Sequence, residues 1–307
     1  MRRIIMTLAA AALLASAAPA FAVQDAVALT DQQRARETMD IGVLTQKAAS
    51  GDVRAQVRLG DDYYVGNGVG QDYAQAYLWY EKAAQTNDPE AQTELGLMYA
   101  KGQGVVKDYA QALNWTRKAA DQGYAGAQYN MGIAYDTGVA VGHDSAAAFG
   151  WYLKAAQQGY DIAQFNVANM YELGDGVTQD YAQAMSWYQK AADQDYAPAQ
   201  YNLGNMYLAG EGVAADPAKA LPLIAASAKQ GFPLAQSRMA ALYYQGEGVA
   251  QDKVEAYAWA LLAADAGDGD AQALLAAMDS AHELNDDQHA RAAKTADQLA
   301  QALTGGA

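Results

Sequence analysis

Apolar side chains recur along this chain with two periods at once. Inside short stretches they fall three and four residues apart, which puts them on one face of a helix. Ala91, Leu95 and Tyr99 stand at i, i+4 and i+8, and Ala112, Trp115 and Ala119 at i, i+3 and i+7. The stretches themselves return every 36 residues: Ala-Gln occurs at Ala55-Gln56, Ala91-Gln92, Ala127-Gln128, Ala163-Gln164, Ala199-Gln200, Ala235-Gln236 and Ala271-Gln272. All five tryptophans share one register, Trp79, Trp115, Trp151, Trp187 and Trp259. A fixed period of this size means stacked supersecondary units. The spacing predicts six, 55–90, 91–126, 127–162, 163–198, 199–234 and 235–270, and a half-unit 271–283, the whole solenoid filling residues 51–283.

Each unit reads as two antiparallel helices. Gly96 lies inside the first, where glycine costs about 1 kcal/mol against alanine. Gly60, Gly132 and Gly204 repeat it, and Ala168 and Ala240 take the slot elsewhere, which predicts close helix approach. Gly102-Gln103-Gly104-Val105 ends that helix, glycine giving the left-handed residue and the valine tucking between the helices. Asp108 is the expected N-cap of the second helix, with Asp72, Asp144, Asp180, Asp216 and Asp252 in the same slot. No unit can bury its stripe alone, so neighbours must stack into a continuous core. Three departures stand out: Thr116 replaces a repeat tyrosine, Ala140 replaces a loop glycine, and Leu223 with Pro222 replaces the tryptophan region of unit 199–234. A proline there predicts a bend or loosened packing near 217–224.

The ends differ. Residues 31–50 and 284–303 read as capping helices, the second starting at Asn285 with Gln288 three residues on, a capping-box spacing. Residues 23–30 and 304–307 read as a flexible start and a tail. Residues 1–22 read as a secretory signal peptide: Arg2 and Arg3, an apolar run from Ile4 to Ala18, then Ala20-Phe21-Ala22, with cleavage before Val23. The run, about 15 residues, is short of the roughly 20 that span a bilayer. It predicts a Gram-negative periplasmic protein, with release into the medium as the alternative.

Composition removes several classes of function. Twenty basic residues oppose 35 acidic ones, a net charge of −15; without Arg2 and Arg3, 18 − 35 gives −17. Such a chain lacks the basic face that nucleic acid or an anionic membrane surface needs. It has no cysteine, hence no disulfide, thiolate metal site or thiol nucleophile. Of the three histidines, His143 lies in a loop, while His282 and His289 lie near Glu283, Asp286 and Asp287 without zinc-motif spacing. Gly66-Asn67-Gly68-Val69-Gly70 follows a helix and lacks the lysine of a phosphate loop. Asp265, Asp268 and Asp270 break the order of a calcium loop. The expectation is an all-α protein with no catalytic residue, cofactor or metal.

The pattern A-Q-x-x-L-G-x-x-Y-x-x-G-x-G-V-x-x-D-Y-x-x-A-x-x-W-Y-x-K-A-A, which Ala91 to Ala120 fits with Thr116 for the second tyrosine, resembles the Sel1-like repeat family, relatives of the tetratricopeptide repeats. The resemblance implies a right-handed α/α solenoid and a protein-interaction scaffold. It points to exported bacterial proteins in envelope signalling or assembly, peptidoglycan upkeep and host contact. One branch is associated with penicillin binding; that branch staples its repeats with disulfides, which this chain cannot form. The alternatives are therefore a secreted host-interaction factor, a peptidoglycan or glycan binder, and a β-lactam hydrolase.

In such solenoids the first helices line the concave surface, and their non-core positions form ladders. The best ladder is Asn130, Asn166 and Asn202, preceded by Tyr129, Phe165 and Tyr201, with Asn169 and Asn205 one turn on. Amides both donate to and accept from an extended peptide. Glu94 and Arg238 vary the same rungs, and divergence inside a repeated frame is where specificity can be written. The expected partner is a protein or peptide with a basic segment, bound by a monomer.

Overall fold

The computed structural model describes residues 40–304, and among these residues every element is an α-helix. They are α1 Ile41–Ala49, α2 Val53–Val65, α3 Tyr73–Gln85, α4 Pro89–Lys101, α5 Tyr109–Asp121, α6 Ala125–Thr137, α7 Ser145–Gln157, α8 Asp161–Leu173, α9 Tyr181–Ala192, α10 Ala197–Ala209, α11 Pro217–Lys229, α12 Pro233–Gln245, α13 Lys253–Asp265, α14 Gly269–Ser280 and α15 Asp286–Thr304. The fold is an all-α solenoid of helix pairs. The signal peptide, the flexible start, residues 31–39 of the first capping helix and residues 305–307 of the tail lie outside the described residues. The chain divides into two compact units, residues up to 163 with 175–177, and residues 164–174 with those from 178 onward.

Local chemistry explains the alternation of helix and turn. The first helices stop at glycines in the left-handed region, such as Gly102 at φ 72°. The second helices start at the aspartate slot: the Asp108 carboxylate accepts from the amides of Ala110 and Gln111 at 2.9 and 3.0 Å. Its own amide donates to the Tyr99 carbonyl at 3.0 Å, which ties the start of α5 back onto the body of α4. First helices start in two ways. Asp52, Asp88 and Asp268 cap theirs with a carboxylate. Tyr124, Tyr196 and Phe232 make no side-chain cap bond, and their rings pack instead into the neighbouring apolar clusters.

The paired helices meet at the small-residue slot. A Cβ on Gly60 would stand 2.6 Å from the Tyr80 ring, and one on Gly204 would stand 2.6 Å from Ile224. A small residue in this slot makes room for a large side chain on the facing helix, and Tyr80, opposite Gly60, and Ile224, opposite Gly204, are among the largest fully buried side chains.

The glutamine of Ala-Gln joins helices both within a pair and between pairs. Gln128 is buried; its Nε2 donates to the Ala120 carbonyl at the end of α5 at 3.4 Å. Its Oε1 accepts from Gln158, thirty residues on, at 2.7 Å. Gln92 with Gln122, Gln164 with Gln194, and Gln200 with Gln230 repeat that bond at 2.8 Å. The period-36 glutamine therefore marks a hydrogen-bonded seam that closes its own helix pair through the second glutamine and reaches the preceding repeat through a carbonyl such as that of Ala120, buried where an unpaired amide would be costly.

The expected loosening at Pro222 is not found. Helix α11 runs unbroken across it and keeps Ala220, Ile224, Ser227 and Ala228 buried. Pro222 is exposed, so the ring replaces an amide on the solvent side and leaves the packed face intact. At the C-terminal end the capping box forms: the Asn285 amide donates to Gln288 Oε1, and the Gln288 amide to Asn285 Oδ1, both at 2.9 Å.

Candidate functional site

The first helices do not present a row of open amides. Asn130 is 8% exposed and its carboxamide has no hydrogen-bond partner. Asn202 is half-buried and donates to the Tyr188 hydroxyl at 2.9 Å. Asn166, Asn169 and Asn205 are half-buried. Asn205 bonds the Tyr201 hydroxyl, whose pKa is raised above 10.0, by burial first. Period-36 placement brings these residues to equivalent positions; it does not give them equivalent partners.

The three aromatic rungs pack against other rings. Tyr129 lies 5.5 Å, ring centre to ring centre, from both Tyr152 and Tyr160. Phe165 lies 5.6 Å from Tyr188 and 5.5 Å from Tyr196, and Tyr201 lies 5.6 Å from Phe232. Each ring of the first helix sits against a ring of a following turn, at separations typical of tilted and edge-on aromatic pairs. Two half-buried repeat tyrosines end on other side chains: the Tyr99 hydroxyl meets that of Tyr77 at 3.1 Å, and the Tyr135 hydroxyl accepts from Arg117 at 2.9 Å.

Charge is distributed unevenly over the first-helix side. Asp61, Asp62 and Glu94 are buried on α2 and α4. The Tyr80 hydroxyl donates to Asp61 at 2.7 Å, and Arg58 approaches Asp62 at 3.4 Å. Burial, followed by the charges of Glu90, Glu94, Asp88 and Asp61, pushes the Tyr124 phenol well above its ordinary value. In the other compact unit, Arg238 pairs with Glu247 at 3.5 Å and leaves its buried Nε without a partner.

A second feature escaped the reading of the sequence. Lys82, Lys118, Lys154 and Lys190 lie 4.0, 4.0, 3.7 and 3.5 Å over the rings of Trp79, Trp115, Trp151 and Trp187. The W-Y-x-K run of the repeat spells out this cation–π contact, so the signal was present. Near the C-terminal cap, His289 Nε2 lies 3.2 Å from Asp279 and its ring 4.9 Å from that of Tyr257. Among the described residues no cluster of three or more histidine or carboxylate side chains could hold a metal ion, and no helix is long and apolar enough to cross a membrane.

Comparison with known proteins agrees with this architecture. The Sel1 repeat matches six times, at residues 53–88, 89–124, 125–160, 161–196, 197–232 and 233–268. A Sel1 repeat protein from Oxalobacter formigenes is similar at 36% identity and a TM-score of 0.70, over 74% of this chain and 93% of that one. A protective antigen of uropathogenic Escherichia coli with an SLR fold is 35% identical over 85% of this chain, with a TM-score of 0.46; the match spans 63% of that protein's length. No curated protein matches the chain.

Proposed function

The chain belongs to the Sel1 repeat family, whose members generally mediate protein–protein interaction, and from that premise we propose that it is an exported scaffold of the bacterial cell envelope. It holds a protein partner on its first-helix side and catalyses no reaction; the fold is typically a non-enzymatic scaffold. The observation that carries the partner's chemistry is the grouping of carboxylates on consecutive first helices, Asp61 and Asp62 on α2 and Asp88, Glu90 and Glu94 at the start of α4. Together with a net charge of −17 once Arg2 and Arg3 are removed, it favours a partner with a basic segment, steered electrostatically and released by salt. Export rests on Arg2, Arg3, the apolar run and Ala20-Phe21-Ala22, and places the mature start at Val23 in a periplasm.

The test is crosslinking of the tagged mature protein in cells, followed by mass spectrometry. One dominant envelope protein is expected, with capture weakened by Glu90→Gln and by salt. Retention on sacculi with no protein captured would overturn the scaffold reading in favour of glycan binding. Fractionation and N-terminal sequencing check export: a periplasmic protein starting at Val23 supports it, and an intact Met1 in the cytoplasm refutes it.

A further inference from the structure

One repeat lacks the ring that its neighbours place in the pair interface. Tyr80, Tyr152 and Tyr188 fill this slot, and each hydroxyl bonds a carboxylate of its own first helix: Asp61 at 2.7 Å, Asp136 at 3.2 Å and Glu172 at 2.7 Å. In the pair α4–α5 the slot holds Thr116, and Ala100 stands at the position that corresponds to Asp136 and Glu172. Ring and carboxylate are both gone. What remains is a cavity of about 110 Å³, lined by Gly96, Ala100, Ala112, Thr116, Asn130 and Ile133 among others. Cavities of similar size, about 150 Å³, admit a benzene ring.

Asn130 shows what the cavity is shaped for. It stands 72 residues before Asn202, as Thr116 stands 72 before Tyr188. Asn202 donates to the Tyr188 hydroxyl at 2.9 Å, whereas Asn130 lines the cavity with both carboxamide atoms buried and unpartnered. A buried amide left unpaired is costly, so a ligand towards which the Asn130 side chain turns gains more than shape. The amide offers a donor and an acceptor, and a phenol hydroxyl answers either. The rest of the lining is mostly apolar, and the rim carries Tyr109 and Val139, both 38% exposed. Lys101 is the one charged residue of the lining; a flat apolar ring tipped by a hydroxyl matches the apolar walls and the Asn130 amide.

We propose that this cavity is a receptor for the tyrosine side chain of a protein partner, which supplies in trans the ring that Thr116 removed. This deepens the scaffold reading and rests on it for the protein nature of the occupant. The probes are p-cresol, toluene and N-acetyl-tyrosine-N-methylamide, added to purified mature protein while the Asn130 side-chain amide is followed by NMR. p-Cresol is expected to shift that resonance saturably, at about millimolar concentration, and toluene to bind about tenfold or more weakly, because it leaves Asn130 unpaired. The blocked tyrosine should bind at least as well as p-cresol. Thr116→Tyr should fill the cavity and abolish all binding. Asn130→Leu, which needs no large side chain to be accommodated, should erase the preference for p-cresol over toluene.

No p-cresol shift overturns the cavity assignment. p-Cresol binding without binding of the blocked tyrosine overturns the protein partner in favour of a small phenol. Because these probes require no partner, their failure leaves crosslinking in cells to judge the scaffold. A partner captured equally by wild type and Thr116→Tyr would keep the scaffold and remove this cavity from its mechanism.

Discussion

The glutamine seam makes a quantitative prediction. Gln128 accepts from Gln158 at 2.7 Å and donates to the Ala120 carbonyl at 3.4 Å, a short bond and a long one. Replacing it by leucine removes both. Neither former partner is orphaned, since the Ala120 carbonyl also accepts from the Gly123 amide at 3.0 Å and Gln158 also donates to the Gly123 carbonyl at 2.9 Å. The loss is therefore that of ordinary neutral bonds, about 1–2 kcal/mol, with no added cost for a stranded group. Gln158→Ala should cost a similar amount. If the two side chains stabilise chiefly through each other, the double variant falls short of the sum by about 1 kcal/mol. Urea unfolding followed by far-ultraviolet circular dichroism measures all four proteins. The bond to the Ala120 carbonyl joins one repeat to the one before, so its loss should also broaden the transition, as expected for stacked units coupled to nearest neighbours. A coupling below about 0.3 kcal/mol would refute the Gln128–Gln158 bond as a tie within the pair, and an unchanged m-value would refute the Ala120 bond as a source of cohesion between repeats.

Other expected outcomes are as follows. Asp108→Ala removes the acceptor of two amides at the start of α5 and should cost about 1 kcal/mol in the same assay; a change below about 0.3 kcal/mol would contradict the capping role. Lys190→Met keeps an apolar stem but removes the ammonium 3.5 Å over Trp187, and should cost about 0.5–1 kcal/mol with a change in tryptophan fluorescence. Glu172 has its pKa raised above 4.5, by burial first, against the lowering effect of the Tyr188 hydroxyl and with a further raise from Glu211. The folded state thus holds this proton more tightly than the unfolded one, and stability contributed by the neutral form is present below pH 4.5 and lost as pH rises through the raised value. Glu172→Gln, neutral throughout, should be more stable than wild type at pH 7, with the gap closing towards pH 4; a gap that is constant over that range would refute the assignment.

Much of this fold was legible because its signals are local. An aspartate cap bonds amides two and three residues on, and a left-handed glycine ends its own helix, so a short window of sequence contains the whole interaction. The capping box at Asn285 and Gln288 is of the same kind. The candidate site was less legible. Period-36 alignment identifies equivalent positions but not the groups that face them, which lie on other helices. Asn130, Asn166 and Asn202 look alike in sequence, yet Asn130 is unpartnered and Asn202 is bonded to Tyr188. Tyr129, Phe165 and Tyr201 meet rings contributed by the inter-repeat turns, which turns their faces into packing surface. The loosening expected at Pro222 is absent for a related reason: its cost depends on which side of α11 loses an amide, and that side faces solvent.

A repeated frame also serves as its own control, and this separates compensated departures from uncompensated ones. Where Ile224 replaces the slot tyrosine, its branched side chain fills the space above Gly204 and stays fully buried. Where Ala260 does so, it faces Ala240 and is sealed in a cluster with Trp259. Where Asp279 takes the place of the repeat tyrosine of the last half-unit, it accepts from Tyr257 and pairs with His289. Each of these changes comes with a neighbour that restores packing or pairing. Thr116 does not: space remains, and Asn130 keeps the amide that a ring hydroxyl would have met. A buried polar atom without a partner is disfavoured in any fold, and the same chain shows the arrangement that satisfies it, at Tyr188 and Asn202. The missing element is a phenol ring supplied from outside the repeat, so specificity is written where the repeat is incomplete rather than where it is most regular.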